Sequence, residues 1–541
     1  MNARRGLGSL ALAGLALAGG RLQAQTVGDP HLTVELVAAG FSAPTTMAFI
    51  GDGDILVFQK NDGKVRRVIG GVLQAAPVLD LAVDGFGERG GLGLALHPDF
   101  PHTGWVYLYY TASSTGADTL GEADPVVNRI VRYRWNGTQL VEPLGLLTLP
   151  ANVAHNGGTL AFGPDDRLYA IIGDNFRQGF LQNNTAGVGP DDTGVIFRLD
   201  AQGRGVADNP FVRTFPATSP MTRYYAYGIR NSFGLAFDPL SGALWETENG
   251  PTVFDEVNRI VPGMNGGWSR IMGPDAENPG GAAILWVAPG STYVDPQFSW
   301  RVPVAPTAAA FVDGRRLGCG LEHALVVGSA NCGSLYRFAL SPDRNQLTFD
   351  AAELEDRIAD NPGERCLEEQ GSIAFAGGFA APTDLETGPD GLLYVVDHGG
   401  AIFRIAPLAG SVPDADGDRV DDACDCAPAD AGAFELPRDV GLLRISGKSP
   451  TALGWNDQRA ASGNGTSYAV LSGGLGALRS SGTFDAACTL ASGLTLPSHS
   501  DPRPASPVGD GTYYFARAVN GCGAGPAGRS ALDGASVPTC P

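Results

Sequence analysis

Short apolar strands alternate with turns rich in Asp, Gly and Pro between residues 51 and 406. Six times such a turn leads into an apolar run, and a second apolar run with a basic residue follows. The first runs are GDGDILVF (51–58), HPDFPHTGWVYLYY (97–110), GPDDRLYAII (163–172), DPLSGALWET (238–247), DGRRLGCGLEHALVVG (313–328) and GPDGLLYVVD (388–397). The second runs are GKVRRV (63–68), NRIVRYRW (128–135), GVIFRLD (194–200), DEVNRIV (255–261), GSLYRFAL (333–340) and GAIFRIA (400–406). Six such pairs predict a six-bladed β-propeller, and an array of β-sandwiches is the alternative.

The pattern changes beyond Pro407, where an acidic segment occupies residues 411–430. Its Asp residues first alternate with other residues and then continue: Asp414, Asp416, Asp418, Asp421 and Asp425. Carboxylates at alternate positions of a tight loop suit Ca²⁺, which prefers oxygen ligands. The segment resembles a thrombospondin type 3 repeat, so we expect a calcium-binding linker. A solvated acidic hinge is the alternative.

The last part of the chain, residues 436–541, shows a third pattern. Apolar and polar residues alternate in TALGW (451–455), TSYAVLSG (466–473) and GTYYFARAVNGCG (511–523). Such alternation between turns predicts a small β-sandwich, which resembles a fibronectin type III module. The sequence therefore predicts an all-β protein: a propeller over residues 31–408, the acidic linker and this sandwich.

The composition agrees with an all-β fold. Of 541 residues, 17% are charged, 76 are Gly and 38 are Pro, which fits many turns and few solvated helices. The net charge of −20 provides no basic surface for phosphates and argues against nucleic acid as a partner. We interpret this acidity mainly as a source of solubility and secondly as a capacity for divalent cations.

The first 24 residues have the features of a secretory signal peptide. Arg4 and Arg5 precede an apolar run that extends to Gly20, and Ala24 offers a cleavage position. We expect an exported protein, periplasmic or secreted. No later apolar stretch is long enough to span a bilayer, so we expect no transmembrane segment after cleavage.

All eight cysteines lie in the second half of the chain. Export would place them in an oxidising compartment, where disulfides are the default. Their connectivity does not follow from the sequence. Proximity along the chain suggests Cys319 with Cys332, and Cys522 with either Cys488 or Cys540.

A histidine leads into the third of the six repeats. His155 is followed by Asn156 and by two glycines, Gly157 and Gly158. Imidazole is well suited to remove a proton near neutral pH, and the glycines allow backbone or substrate to approach closely. A structural histidine satisfied within a turn is the alternative.

Three further stretches carry polar groups at glycine-rich turns. In YGIRNSFGLAFDP (227–239), Arg230 and Asn231 can hold an anion or a developing negative charge. In ENGPTVFDEVNRIVPGMNGGW (248–268), the turn at Asn249, Gly250 and Pro251 has carbonyls that can face a hard cation. The stretch GERGGLGLALHPDF (87–100) adds Glu88 and Arg89. The alternatives are a structural arginine that bridges loops, and acids that cap turns at the surface.

Together these stretches resemble the motifs of the glucose/sorbosone dehydrogenase family, six-bladed propellers that use pyrroloquinoline quinone (PQQ). The matching motifs are GERGGLGLALHPDF, HNGGTLAFGPDDRLY followed by GD, YGIRNSFGLAFDP, and ENGPTVFDEVNRI followed by GMNGGW. They occur in the order typical of the family. The resemblance covers residues 31–407.

The resemblance implies PQQ- and calcium-dependent oxidation of an aldose sugar or related polyol. It makes His155 the general base that takes the hydroxyl proton while hydride passes to the quinone. It also implies that Arg230, Asn231 and the neighbouring Asn249 contact the cofactor. The carbonyls of Gly250 and Pro251 would hold Ca²⁺ against it. Neither the electron acceptor nor the oligomeric state is implied.

Three positions depart from the pattern of the family's glucose-oxidising members. Asn331 stands where those members carry a Lys that pairs with the cofactor, and Ala381 and Thr383 stand where they carry two Arg. Other cations that can compensate are Arg177, Arg301 and Arg365. The alternative hypothesis is a non-catalytic extracellular binding propeller that keeps the scaffold and has lost the cofactor.

Overall fold

The computed structural model is built almost entirely of β-strands, as predicted. It describes residues 24–121, 126–360, 366, 368–441, 443–484, 486–507, 509–527 and 539–540. The proposed signal peptide, apart from its last residue, lies outside the described residues. Among the described residues, no helix has the length and apolar character needed to cross a membrane.

Six sheets form the blades of a propeller. The first blade, innermost strand first, contains Pro44–Gly51, Asp54–Gln59, Lys64–Ile69 and Val72–Leu73, with Leu79–Asp80 beside the third strand. The second blade contains Gly91–Leu96, Trp105–Ala112, Val127–Trp135 and Leu140–Leu149. The third blade contains Leu160–Phe162, Leu168–Ile172, Val195–Leu199, Tyr224–Tyr227, Met264–Asn265 and Thr292–Tyr293. The six strand pairs predicted from the sequence are confirmed as the second and third strands of the six blades.

The last three blades are built on the same plan. The fourth blade, innermost strand first, contains Ser232–Phe237, Leu244–Glu248, Asp255–Ile260, Phe298–Trp300 and Ile358–Ala359. The fifth blade contains Pro306–Phe311, Leu325–Ser329, Ser334–Leu340, Ala374–Gly377 and Thr26–Val27, with Leu347–Thr348 beside the third strand. The sixth blade contains Pro382–Thr387, Leu393–Asp397, Ala401–Pro407 and Leu32–Ala39. The first three strands of every blade pair antiparallel, whereas the third and fourth blades add parallel outer strands.

The second strand of a blade is apolar because neighbouring blades cover both of its faces. Leu168–Ile172 and Leu393–Asp397 are buried at every position. The N-terminal segment closes the ring, because Leu32–Ala39 pairs antiparallel with Ala401–Pro407 and forms the outermost strand of the last blade. The start and the end of the propeller sequence therefore share one sheet.

Two further sheets follow the acidic linker. They contain Arg444–Ser446, Thr451–Gly454 and Ser498–Asp501, and Ser467–Gly474, Cys488–Leu494, Thr512–Asn520 and Gly523–Ala524. Leu453 and Trp455 share a core with Tyr468 and Val470 of the other sheet, which confirms a sandwich. The segment limits drawn from the sequence stay predictions.

The helices are short. The α-helices are Phe100–Thr103, Arg459–Ser462 and Leu475–Ser481, and the 3₁₀ helices are Phe180–Gln182, Pro220–Arg223, Asp275–Glu277, Ala282–Ile284, Ala352–Leu354 and Glu368–Ser372. Connections between strands therefore consist mainly of turns and irregular loops, as the Gly and Pro content predicts.

The disulfide pairings suggested by proximity are wrong. The bonds join Cys319 to Cys424, Cys332 to Cys366, Cys426 to Cys522 and Cys488 to Cys540. The linker folds against both neighbours, so partners separated by 105 and 96 residues meet. One of these two bonds ties the linker to the propeller and the other ties it to the sandwich.

The innermost strands enclose a channel with a cavity of about 1230 Å³. Lys60, Glu88 and Gly157 line one end of this cavity. At the other end, Asp457 and Ala461 of the C-terminal part join the lining. The sandwich therefore covers one mouth of the channel, and the sequence motifs gather at the opposite mouth.

Candidate active site

His155 lies on the loop that enters the innermost strand of the third blade. Its φ of +61° and that of Gly157, +59°, are left-handed, so the chain turns sharply here. A Cβ at Gly157 would lie 2.8 Å from the Ile171 carbonyl oxygen, so the glycine permits close backbone packing. The His155 N–H donates to Glu88 Oε2 at 2.6 Å, which ties this loop to the loop before the second blade.

The ring of His155 is held in one orientation. Its Nδ1 lies 2.6 Å from Asp174 Oδ1, and Trp268 Nε1 donates to the other Asp174 oxygen at 2.7 Å. A carboxylate only accepts, so Nδ1 carries the proton and Nε2 keeps its lone pair. Phe176 packs on the ring at 4.3 Å between centroids. Nε2 makes no hydrogen bond to any described residue, which leaves it available as a base.

Arg230 and Asn231 lie beside this histidine, as the motifs predict. Asn231 Nδ2 donates to Glu88 Oε2 at 3.1 Å, the same oxygen that receives the His155 N–H. The Arg230 guanidinium lies 5.3 Å from the Trp268 ring centre and donates to the Asn249 carbonyl at 2.6 Å. Its Nε and Asn231 Oδ1 are buried without a hydrogen-bond partner. Both side chains therefore have unused capacity to bind a polar ligand.

The turn at Gly250 and Pro251 comes directly after Asn249, whose carbonyl accepts the bond from Arg230. The Gly250 N–H donates to Asp255 Oδ1 at 2.8 Å, and Asp255 Oδ2 accepts from the Ala305 N–H at 2.7 Å. Burial raises the pKa of Asp255 to about 6, which these bonds partly oppose. Neither the Gly250 nor the Pro251 carbonyl accepts a hydrogen bond from a described residue. Two adjacent carbonyl oxygens are thus free to coordinate a cation.

Three buried glutamates underlie the site. Glu248 accepts from the Arg230 N–H at 2.6 Å, and Asn258 Nδ2 donates to both Glu246 and Glu256. Burial raises the pKa of Glu246 to about 8, of Glu256 to about 7, and of Glu248 well above its usual range, and the charges of neighbouring acids add to each shift. A protonated Glu248 carries no charge to compensate Arg230, so the positive charge of the guanidinium stays available.

Lys60 is a second cation at this mouth, and the sequence reasoning missed it. Its ammonium donates to the Gly85 carbonyl at 2.8 Å and to Asn61 Oδ1 at 3.2 Å. Among the described residues, no carboxylate lies within 4 Å of it. It lines the cavity together with Glu88 and with His398 of the last blade. No local motif marks Lys60, because it belongs to the first blade and the motifs that mark the other site residues lie further along the chain.

The positions that depart from the family pattern also lie here. Ala381 and Thr383 line the cavity near Lys60 and provide no charge. Asn331 is exposed, and its side chain donates to the Pro303 carbonyl at 3.4 Å. Arg89, a sequence candidate, is buried away from the site and donates to the Asn152 carbonyl at 3.0 Å. Its role is therefore to hold the loop that carries Glu88.

The arginines considered as replacements are engaged elsewhere. Arg177 Nε lies 3.7 Å from Asp191, and Arg301 pairs with both Asp360 and Glu277. Arg365 lies outside the described residues. Within the described part of the chain, the side chains of Arg230 and Lys60 form no ion pair within 4 Å, although acids lie further away.

Three of the five aspartates predicted as calcium ligands lie close together in the acidic linker. Oxygens of Asp414, Asp416 and Asp418 all lie within 4.8 Å of one another. Asp416 Oδ2 and Asp418 Oδ2 are buried without a hydrogen-bond partner. All five aspartates accept a backbone N–H within a tight turn, and Asp421 and Asp425 lie outside the cluster of three. The alternating aspartates therefore form a cluster, and Asp421 and Asp425 lie beside it.

Comparison with known proteins gives a consistent family. The model of the family described as Glucose / Sorbosone dehydrogenase matches residues 41–404. Quinoprotein glucose dehydrogenase B of Acinetobacter calcoaceticus is 29% identical over 257 residues, which cover 44% of this chain and 52% of that protein. The chain thus spans about half the length of that relative.

Two further relatives match over most of their length. Aldose sugar dehydrogenase YliI of Escherichia coli K12 is 26% identical over 390 residues, which cover 70% of this chain and 93% of that protein. The PQQ-bound aldose sugar dehydrogenase of Streptomyces coelicolor superposes with a TM-score of 0.51 at 27% identity, covering 69% of this chain and 98% of that structure.

Proposed function

Because the chain belongs to the glucose/sorbosone dehydrogenase family, we propose that it oxidises an aldose sugar or related polyol with PQQ and calcium. The observation that supports this proposal best is the fixed tautomer of His155. Its Nδ1 faces Asp174 at 2.6 Å, and its Nε2 makes no hydrogen bond to a described residue. A base held this way needs no rearrangement before it accepts a proton.

His155 takes the proton of the hydroxyl group on the carbon that is oxidised. The imidazolium that forms is stabilised by Asp174 through Nδ1, and Trp268 holds Asp174 in place. Arg230 provides a fixed positive charge beside the reacting group. Packing of Phe176 against the imidazole keeps the ring oriented and limits water on one face.

The donor set suits an anionic quinone. PQQ, when bound, supplies a two-electron acceptor for hydride and carries three carboxylates. Arg230 Nε is a buried donor without a hydrogen-bond partner, and Lys60 adds an ammonium with no carboxylate within 4 Å among the described residues. We assign contacts with the cofactor to Arg230, Asn231, Asn249 and Lys60. In this chain Lys60 takes over part of the charge that Asn331, Ala381 and Thr383 lack.

Calcium binding is proposed at two places. The carbonyls of Gly250 and Pro251 are oxygen ligands beside Arg230, and Ca²⁺ there would draw electron density from a bound quinone. In the linker, the cluster of Asp414, Asp416 and Asp418 offers unpartnered carboxylate oxygens. Asp421 and Asp425 are proposed as further ligands of this second site.

Export completes the proposed role. We propose that residues 1–24 direct the chain to the periplasm or outside the cell, where the four disulfides form. The propeller over residues 31–408 acts on the sugar, the linker over 411–430 binds calcium, and the sandwich over 436–541 covers one mouth of the channel.

Reconstitution tests the proposal. Protein freed of metal is supplied with PQQ and Ca²⁺, and dye reduction is followed with a panel of aldoses. We expect sugar-dependent reduction that His155→Ala abolishes and that His102→Ala, a change at an exposed histidine, retains. No reduction by the loaded wild-type protein, or equal rates in His155→Ala, would favour the non-catalytic binding propeller.

A further inference from the structure

A second cluster of metal-ligating side chains lies far from the channel mouth described above. Glu322 and His323 come from the loop between Pro306–Phe311 and Leu325–Ser329 of the fifth blade, and Glu435 follows the acidic linker. One ligand atom of each residue lies within 4.8 Å of the other two. Their side chains are 11%, 13% and 8% exposed. The cluster therefore belongs to the buried contact between the propeller and the C-terminal part.

Two of the three side chains have a buried ligand atom without a hydrogen-bond partner. His323 Nε2 and Glu435 Oε2 are buried and accept no hydrogen bond. His323 Nε2 lies 3.7 Å from Glu322 Oε1, about the separation of two ligands on one tetrahedral ion. Arg315 Nε lies 4.0 Å from Glu435 Oε2, beyond hydrogen-bond reach. The three ligand atoms thus share a space that no described donor fills.

Two arginines hold the remaining carboxylate oxygens. Arg315 Nε donates to Glu322 Oε2 at 2.9 Å, and Arg438 Nε lies 3.8 Å from Glu435 Oε1. Groups that bind the outer oxygens of a ligating carboxylate orient it for the ion. With Asp313, which lies 4.0 Å from His323 Nε2 and pairs with Arg438, three acids face two arginines. Arg344 also lies beside the cluster, since its Nη2 donates to the His323 carbonyl at 2.8 Å.

We propose that Glu322, His323 and Glu435 bind a divalent transition-metal ion of the Zn²⁺ type. One imidazole nitrogen and two carboxylate oxygens match the ligands and the number that zinc takes from protein, with water at a fourth position. Calcium prefers six to eight oxygens, which this cluster does not provide. The site differs in chemistry from the all-carboxylate cluster of the linker.

The ion would join two parts of the chain. Glu322 and His323 belong to the propeller, whereas Glu435 belongs to the segment that leads into the sandwich. The disulfide between Cys319 and Cys424 crosses the same contact, and Arg315 Nη1 donates to the Cys424 carbonyl at 3.0 Å. Zinc therefore fixes the C-terminal part over its mouth of the channel, and its removal should loosen that contact.

Calorimetry with zinc chloride tests this site. Untagged full-length protein is treated with EDTA, exchanged into buffer without chelator, and titrated in the presence of excess Ca²⁺. We expect one zinc site of micromolar affinity or tighter. His323→Gln and Glu435→Gln should each weaken it at least tenfold, because each removes a ligand. The control Asp416→Asn removes a carboxylate of the linker cluster and should leave zinc affinity unchanged.

Thermal melting in EDTA shows whether each variant folds, and Co²⁺ absorption adds a second readout. Cobalt in the wild-type protein should give the visible bands of a four-coordinate site, and His323→Gln should lose them. No zinc binding by the wild-type protein would overturn the proposal. Zinc affinity in His323→Gln and Glu435→Gln equal to that of the wild-type protein would also overturn it. Loss of zinc binding in Asp416→Asn alone would do the same.

Discussion

Asp174 determines which nitrogen of His155 carries a proton. We predict that Asp174→Asn lowers sugar-dependent dye reduction by about 10²-fold or more, because the amide can donate to Nδ1 and favour the wrong tautomer. The affinity for PQQ should change little. Steady-state rates and a calorimetric titration of the same preparation separate the two effects. Asp208→Asn, a change at a surface acid that pairs with Arg198, serves as the control. Unchanged rates in Asp174→Asn would contradict the assigned role.

If Lys60 contacts the cofactor as proposed, PQQ binding should depend on pH. Burial lowers the pKa of Lys60 to about 8, although Glu88 and Asp84 oppose the shift. The ammonium is charged below that pH and loses its charge above it. We predict that PQQ affinity falls by up to about tenfold per unit as pH rises through 8, whereas Lys60→Arg keeps its affinity.

Calorimetric titrations at a series of pH values check this prediction. Lys60→Met should bind PQQ weakly throughout and show no step near pH 8. Lys64→Met, at a lysine that already pairs with Asp62, is the matched control. A wild-type step that persists in Lys60→Met would assign it to another group.

Sequence reasoning reached some site residues and missed others for a physical reason. His155, Arg230 and Gly250 lie in local motifs whose neighbours reveal them. Lys60 and Asp174 act only after the blades bring them to one mouth, and no local pattern shows that. Asp174 is the Asp of the GD that follows the HNGG motif, but its contact with His155 spans 19 residues.

At the scale of elements, the strand that closes the ring gives a direct test. Leu32 and Leu36 lie on the same strand, but Leu32 is 8% exposed and packs in the core, whereas Leu36 is 62% exposed. We predict that Leu32→Ala lowers the free energy of unfolding by about 2 kcal/mol and lowers the melting temperature. Leu36→Ala should have almost no effect. Scanning calorimetry at one scan rate measures both, and equal shifts would contradict the closure described here.

The patterns that predicted strands also show why other elements were not predicted. Strands such as Leu168–Ile172 are apolar throughout because two blades bury them, so they stand out. The innermost strand Leu160–Phe162 is apolar but only three residues long, and two of its residues are only partly buried, so it gives little signal in the sequence. The pairing of Leu32–Ala39 with Ala401–Pro407 and the disulfide partners depend on the closed ring and the folded-back linker. Neither follows from local spacing.

At the scale of the whole molecule, two carboxyl groups in the channel wall, those of Asp384 and Glu386, have raised pKa values. Asp384 Oδ2 accepts from Thr46 Oγ1 at 3.0 Å and from the Met47 N–H at 2.8 Å. Burial raises the pKa of Asp384 to about 7, and burial with the nearby Asp384 raises that of Glu386 well above its usual range. The folded protein therefore holds protons that the unfolded chain releases above about pH 4.

These protons make the fold less stable as pH rises from about 4 to 7, by about 1.4 kcal/mol per unit for each proton. We predict that Glu386→Gln and Asp384→Asn flatten the fall in melting temperature over this range. Asp343→Asn, at an exposed acid in a turn, should follow the wild-type slope. Parallel slopes in all four proteins would contradict the assigned protonation.

The three-part plan of the chain was predictable from its composition and repeats, but the contacts between the parts were not. Arg444 of the sandwich pairs with Asp166 of the propeller at 2.7 Å, and Arg438 pairs with Asp313. These contacts place the sandwich over the mouth opposite His155. Sugar and cofactor therefore enter the proposed site from the end that carries Lys60, Glu88 and Arg230.

The most direct test of the account is a calorimetric titration of PQQ into the full chain in the presence of Ca²⁺. We predict one binding site per chain, weakened when a chelator removes Ca²⁺ and again when Lys60→Met removes the unpaired ammonium. Absence of PQQ binding by the calcium-loaded wild-type protein would contradict the account.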